Sequence, residues 1–189
     1  MALGTLDTDV FTWVVEHRVG WLDPVFVALS VVGYAGVVWI ALAVVLALVA
    51  RRPLLTVTAL TAGCVWAADL LTMGLKPVID RPRPFGTISD ADPLLGGTLG
   101  SSLPSGHAAT SFAGAVVLAY LFRRGLLLFF VLAVAIAFSR VYIGVHYPAD
   151  VLAGAALGAA VSFAALALLR FRRRTSAVPP RSEAAPPSG

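Results

Sequence analysis

Lys76, Arg83, Ser105, Gly106, His107, Arg140, His146 and Asp150 are the residues of this 189-residue chain whose types and spacing can do chemistry. They fall in three clusters beside long apolar runs, where ionisable residues are normally avoided. In Lys76-Pro77-Val78-Ile79-Asp80-Arg81-Pro82-Arg83-Pro84, prolines hold several cations close together. Arginine offers an anion two parallel hydrogen bonds and lysine adds a point charge, so the cluster invites phosphate. A plainer account, of interfacial anchors reaching for lipid head groups, fits equally well.

The second cluster, Leu103-Pro104-Ser105-Gly106-His107, stands directly ahead of an apolar helix. Gly106 lets backbone approach a ligand, and the unpaired first amides and the helix dipole favour negative charge there. Ser105 can add a hydrogen bond and His107 can act as a general acid. Taken singly, this is equally a capped helix start, with Ser105 as N-cap. The third cluster runs from Ser139-Arg140 to His146-Tyr147-Pro148-Ala149-Asp150. Pro148 suits the first position of a helix, which leaves His146 just ahead of it and Asp150 one turn in, near the imidazole. A carboxylate so placed fixes the tautomer and frees the other ring nitrogen to attack or to accept a proton. The plainer account gives Asp150 to the helix dipole and His146 to a turn.

The elements that must position these groups are membrane spans. With 59% hydrophobic residues, 13% charged and a mean hydropathy of +0.89, the chain is too apolar for an ordinary soluble domain. Its net charge of +4 does not mark a nucleic-acid binder, because the basic residues cluster at the ends of apolar runs without interleaved aromatics. Cys64 is the single cysteine, so neither a disulfide framework nor a thiolate metal site is expected. No removable signal peptide is expected either.

The expected fold is all-α, a polytopic transmembrane bundle of about five spans plus an N-terminal interfacial helix. Residues 1–24 form the N-terminal segment, whose helix covers Leu6 to Arg18. Residues 25–170 form the membrane domain, with spans at Val25 to Ala50, Leu54 to Leu75, Ser105 to Phe122, Leu126 to Val141 and Val151 to Leu169. Residues 171–189 form a basic, Pro-rich cytoplasmic tail expected to be disordered. The Arg51-Arg52 turn, the Arg123-Arg124 turn and the Arg-rich tail fall on one side. Short basic loops stay in the cytoplasm, which puts the three clusters on the extracytoplasmic side of the plasma membrane. The apolar stretch from Ala108 to Phe122 would rise only ~22 Å against a core of ~30 Å, so the site should be recessed.

Taken together, K-x6-R-P, P-S-G-H and S-R-x5-H-x3-D resemble the three-part signature of the type 2 phosphatidic acid phosphatase family, which shares its site with vanadium haloperoxidases. The resemblance runs from the second span through the fifth, with every fixed position present. It implies that Lys76, Arg83 and Arg140 bind phosphate with Ser105 and Gly106. It makes His146 the nucleophile, Asp150 its orienting partner and His107 the acid for the leaving group. It implies no metal and no cofactor, and a lipid phosphate as partner, with an isoprenoid diphosphate such as undecaprenyl diphosphate ahead of phosphatidic acid or phosphatidylglycerol phosphate. Some relatives carry an additional N-terminal span, and the loop from Phe85 to Leu103 matches nothing in the pattern. A lipid-phosphate binding or transport protein would keep the pocket without turnover. A vanadate-using haloperoxidase is the third possibility, whose soluble forms do not resemble this chain. Outside the signature, Asp69 reads as a structural partner for Lys76, Arg81 as a neighbour of the substrate, and His17 as an exposed interfacial residue. Oligomeric state is not legible.

Overall fold

Long apolar runs with breaks at Gly, Pro and Arg pairs leave the backbone one way to satisfy its own hydrogen bonds in lipid, the helix. The computed structural model describes residues 2–88, 91–97 and 100–176, and every regular element among them is helical. They are α1 (Ala2–Glu16), α2 (Asp23–Val32), α3 (Val37–Val49), α4 (Leu54–Ile79), α5 (Gly106–Leu121), α6 (Leu126–Tyr142) and α7 (Pro148–Ser176). The nearly wholly buried α5 is the centre of the bundle, packed by α4, α6 and α7.

Close approach of α7 to α5 depends on Gly154 and Gly158. A Cβ at the first would collide with the Ser105 carbonyl and at the second with that of Ala109. This contact fixes the start of α5 against the start of α7, where two of the three clusters lie. The link is closed by the Ser105 amide, which donates to the Asp150 carbonyl at 2.9 Å.

Several expectations change. The first span is not one helix: α2 and α3 meet at a bend of 50°. Ala35 and Gly36 take left-handed backbone there, with φ of 50° and 68°. The bend brings the end of α2 over the site. Among the described residues three helical segments are long and apolar enough to cross a membrane, or four if the bent pair counts as one span. The expected five also counted α5, whose 16 residues rise about 24 Å, short of the hydrocarbon core. The second helix continues past Leu75 to Ile79 with Pro77 inside it, which puts Lys76 on its last turn. The last helix continues to Ser176, so Phe171 to Ser176 are helical where a disordered tail was expected. Basic side chains complement the dipole at that C-terminus. Residues 177–189 of the expected tail lie outside the described residues. Helix α1 packs on α6 and α7 with Phe11, Val14 and Asp7 buried.

Candidate active site

His146 lies in the turn between α6 and α7, 2% exposed, and its amide donates to the Arg140 carbonyl at 3.2 Å. Gly144 makes that turn possible, with φ of 86°. On one side of the ring, Nδ1 is 3.5 Å from Asp150 Oδ2. That is an ion-pair distance too long for a hydrogen bond, and Nδ1 has no such partner. On the other side, Nε2 faces Arg83 Nη1 at 3.5 Å. Burial pushes the imidazole down to about 4, opposed by Asp150 and reinforced by the charges of Arg140 and Arg83. The ring is therefore neutral near pH 7, with a lone pair on one nitrogen.

Asp150 is fully buried at the first turn of α7. Its Oδ2 accepts from the Tyr147 amide at 2.9 Å and its Oδ1 from Arg81 Nη1 at 2.7 Å. Arg81 also donates through Nη2 to Asp7 Oδ2 at 2.6 Å, and its guanidinium lies over the Tyr147 ring, 4.2 Å from the centroid. Asp7 Oδ1 in turn accepts from the Ala149 amide at 2.8 Å. One arginine between two carboxylates thus ties α1, the loop after α4 and the start of α7 to the group beside His146. Charge-assisted bonds of this kind are the strong ones.

Arg83 is held rigidly, Nε donating to the Gly100 carbonyl and Nη1 to that of Val145, both at 3.1 Å. The loop that the sequence pattern leaves uninterpreted clamps this arginine's strand of chain. The Ser102 amide donates to the Arg81 carbonyl at 2.8 Å, and the Arg81 amide to Ser101 Oγ at 3.0 Å. The same loop reaches the His146 turn, where the Leu94 amide donates to the Ile143 carbonyl, and the segment after α1, where Arg18 donates to the carbonyls of Asp92 and Tyr142.

Arg140 donates through Nη1 to Ser30 Oγ on α2, and His107 Nε2 is 3.0 Å from the Ser30 carbonyl. A carbonyl can only accept, so this nitrogen of His107 carries a hydrogen. Lys76 interacts electrostatically with Arg83, Arg140, Asp69 and Asp150. Asp69 also stands close to the start of α5, its Oδ1 3.3 Å from where a Cβ on Gly106 would be. At that start, Ser105 occupies the N-cap position without making a capping bond, and its hydroxyl is buried without a partner, as is Arg140 Nε. Buried polar groups are ordinarily satisfied, so unpaired donors converging beside a neutral histidine suit an incoming oxyanion.

The structure thus brings Lys76, Arg83, Ser105, Gly106, His107, Arg140, His146 and Asp150 to one end of the bundle. Asp7, Ser30, Ser101 and Ser102 were missed, and Arg81 was placed beside the substrate instead of between two carboxylates. Asp7 stands among Thr5, Thr8 and Asp9, so nothing local singles it out or names Arg81 as its partner. His17 is exposed on α1's C-terminal side, bonded to the Trp13 carbonyl and stacked on the Trp13 ring. Among the described residues no three His, Cys, Asp or Glu side chains are grouped so as to hold a metal ion.

A family model described as the PAP2 superfamily matches residues 53–174, which contain all three clusters. A lipid A 4'-phosphatase of Bacteroides thetaiotaomicron is 35% identical over 109 residues, 54% of this chain and 48% of the relative. This chain therefore spans about half the length of that relative. An undecaprenyl-diphosphatase of Sulfolobus acidocaldarius is 31% identical over 158 residues, 83% of this chain and 75% of the relative. The crystal structure of Aquifex aeolicus LpxE superposes with a TM-score of 0.73 at 27% identity, over 84% of this chain and 93% of that one.

Proposed function

The chain belongs to the PAP2 superfamily, and from that premise we propose that it is an integral membrane phosphatase that hydrolyses a lipid phosphate through a phosphohistidine on His146. The observation that carries this reading is the neutral, buried His146, with Nε2 turned to Arg83 and away from its carboxylate partner. Nε2 attacks phosphorus in line, an N–P bond forms, and the bond to the leaving oxygen breaks. His107 supplies the proton to that oxygen. Water then attacks the phosphohistidine and gives its proton to His107, the N–P bond breaks to release inorganic phosphate, and both rings return to their starting state. Positive charge that develops on the imidazole is stabilised by Asp150, which Arg81 and the Tyr147 amide hold in place. Lys76, Arg83, Arg140 and the Ser105 hydroxyl stabilise the transferring group's charge.

No step in this scheme uses a metal ion, and activity is expected to persist in EDTA. The sorting of the arginines supports an extracytoplasmic site in the plasma membrane. Among substrates we favour undecaprenyl diphosphate, supported by the Sulfolobus relative that covers most of this chain. A lipid A phosphate is the second reading, favoured by the Bacteroides relative. The test is phosphate release in EDTA from undecaprenyl diphosphate, lipid A, phosphatidic acid and phosphatidylglycerol phosphate, by purified wild type and His146→Ala. Release by wild type alone, greatest on the first lipid, is expected. Release by both proteins would overturn the phosphohistidine, and lipid binding without release would favour a binding or transport protein.

A further inference from the structure

At the end of the bundle opposite His146, the turn before α4, the turn between α5 and α6, and the end of α7 enclose a second cavity of about 1210 Å³. Arg52, Arg123, Arg124, Arg170 and Arg173 line it, and none of its lining residues is acidic. Two of these arginines are held by aromatic rings. The Arg52 guanidinium lies 5.5 Å from the Phe122 centroid and that of Arg170 4.8 Å from the Tyr120 centroid. Arg170 Nε also donates to the Tyr120 hydroxyl at 3.4 Å. Below the arginines the wall is apolar, formed by Val57, Leu60 and Leu121.

The tendency of basic loops to remain on one side of a membrane accounts for arginines at this end. It does not account for a concave wall that places five of them around one space above an apolar floor. Guanidinium groups with no acidic neighbour among the described lining residues repel one another and select an anion. Their planar donor pairs match phosphate oxygens, and the floor beneath suits a hydrocarbon chain. A ligand that satisfies both is an amphiphile lying in the membrane. We propose that this cavity binds an anionic phospholipid of the leaflet opposite the active site, with its phosphate among the arginines and an acyl chain along Val57, Leu60 and Leu121. The site is built from residues that the hydrolytic reaction does not use and stands independently of it.

Native mass spectrometry of the purified full chain, titrated with phosphatidylglycerol or phosphatidylcholine, tests this. Wild type should prefer phosphatidylglycerol, and Arg52→Gln with Arg170→Gln should lower that preference at least about tenfold, each basic group near a lipid surface being worth about fivefold. Should that pair fail to fold, Arg123→Gln with Arg124→Gln replaces it. Arg51→Gln, on the same turn but outside the cavity, and Lys76→Gln, at the active site, should keep the preference. A loss with Arg51→Gln as large as with the pair would make the arginines general membrane anchors, and a loss with Lys76→Gln would put the lipid at the active site. Displacement by glycerol phosphate at matched concentration would show a soluble anion in place of a lipid. Each of these three results overturns the proposal.

Discussion

At one end of the bundle Arg81 sits between two carboxylates, Asp7 at 2.6 Å and Asp150 at 2.7 Å. At the other, Arg52 and Arg170 rest on aromatic rings in a cavity without an acidic lining residue. The first arrangement spends its charge inside the protein: Arg81 holds the partner of His146 and has little left for a ligand. The second has no acidic partner among the described residues that line it. Arg83 and Arg140, at the same end as Arg81, donate instead to carbonyls and a hydroxyl, partners that fix position without neutralising charge. What distinguishes a positioning arginine from a ligand-binding one is the charge of its partners, and sequence spacing does not report that.

The sharpest way to break this contrast is at the reactive group. His146→Ala should lower phosphate release by about 10⁴-fold or more, as loss of a nucleophile does elsewhere, measured on purified protein with lipid substrate. A loss under about tenfold would place the chemistry at another residue. Next in size is Arg81→Gln, which leaves the buried Asp150 without its cation. It should lower kcat about 10²-fold and stability by about 3 kcal/mol, with KM changed far less and Arg81→Lys recovering part of both. If KM rose and kcat held, Arg81 would be a ligand-binding arginine after all.

The pH profile sharpens the same comparison. The proposed reaction needs neutral His146, whose pKa is pushed down to about 4 from the usual 6.5. Its share of the acid limb of kcat/KM should therefore fall near pH 4, with activity held through pH 5 to 6. Arg83 is one of the charges that lower it. Arg83→Gln, though slow, should accordingly move that limb toward higher pH, and a limb that stays put would separate Arg83 from the ring. The smallest effect is expected at the far end. Arg52→Gln with Arg170→Gln should leave hydrolysis of a water-soluble phosphate ester within about twofold of wild type, as for surface changes remote from a site. A larger fall would couple the two ends.

Reading the sequence recovered the helical class, because long apolar runs have few alternatives in lipid, and it marked at helix ends three clusters that the fold brings to one end of the bundle. Pro148 begins α7 as its chemistry requires, and Asp150 lies in its first turn. The 16 residues of α5 follow from the length of its apolar run. Local reading failed where backbone and packing compete. The break between α2 and α3 lies inside a long apolar run where only Gly33 and Gly36 mark it, and Ala35, an ordinary helix former, takes left-handed backbone there.

The sequence by itself determined the lengths of the apolar segments, the side on which the arginines gather and the order of the reactive residues, since all three are written in neighbouring positions. Tertiary structure alone decided which arginine meets which carboxylate, that Ser30 on a bent helix joins Arg140 to His107, and that five distant arginines enclose one cavity. Asp7 and Arg81 are 74 positions apart. A pairing at that separation has no period and no local propensity, and it exists only once the packing of α1 against α6 and α7 has brought the two charges together in a place where neither can be left unpaired.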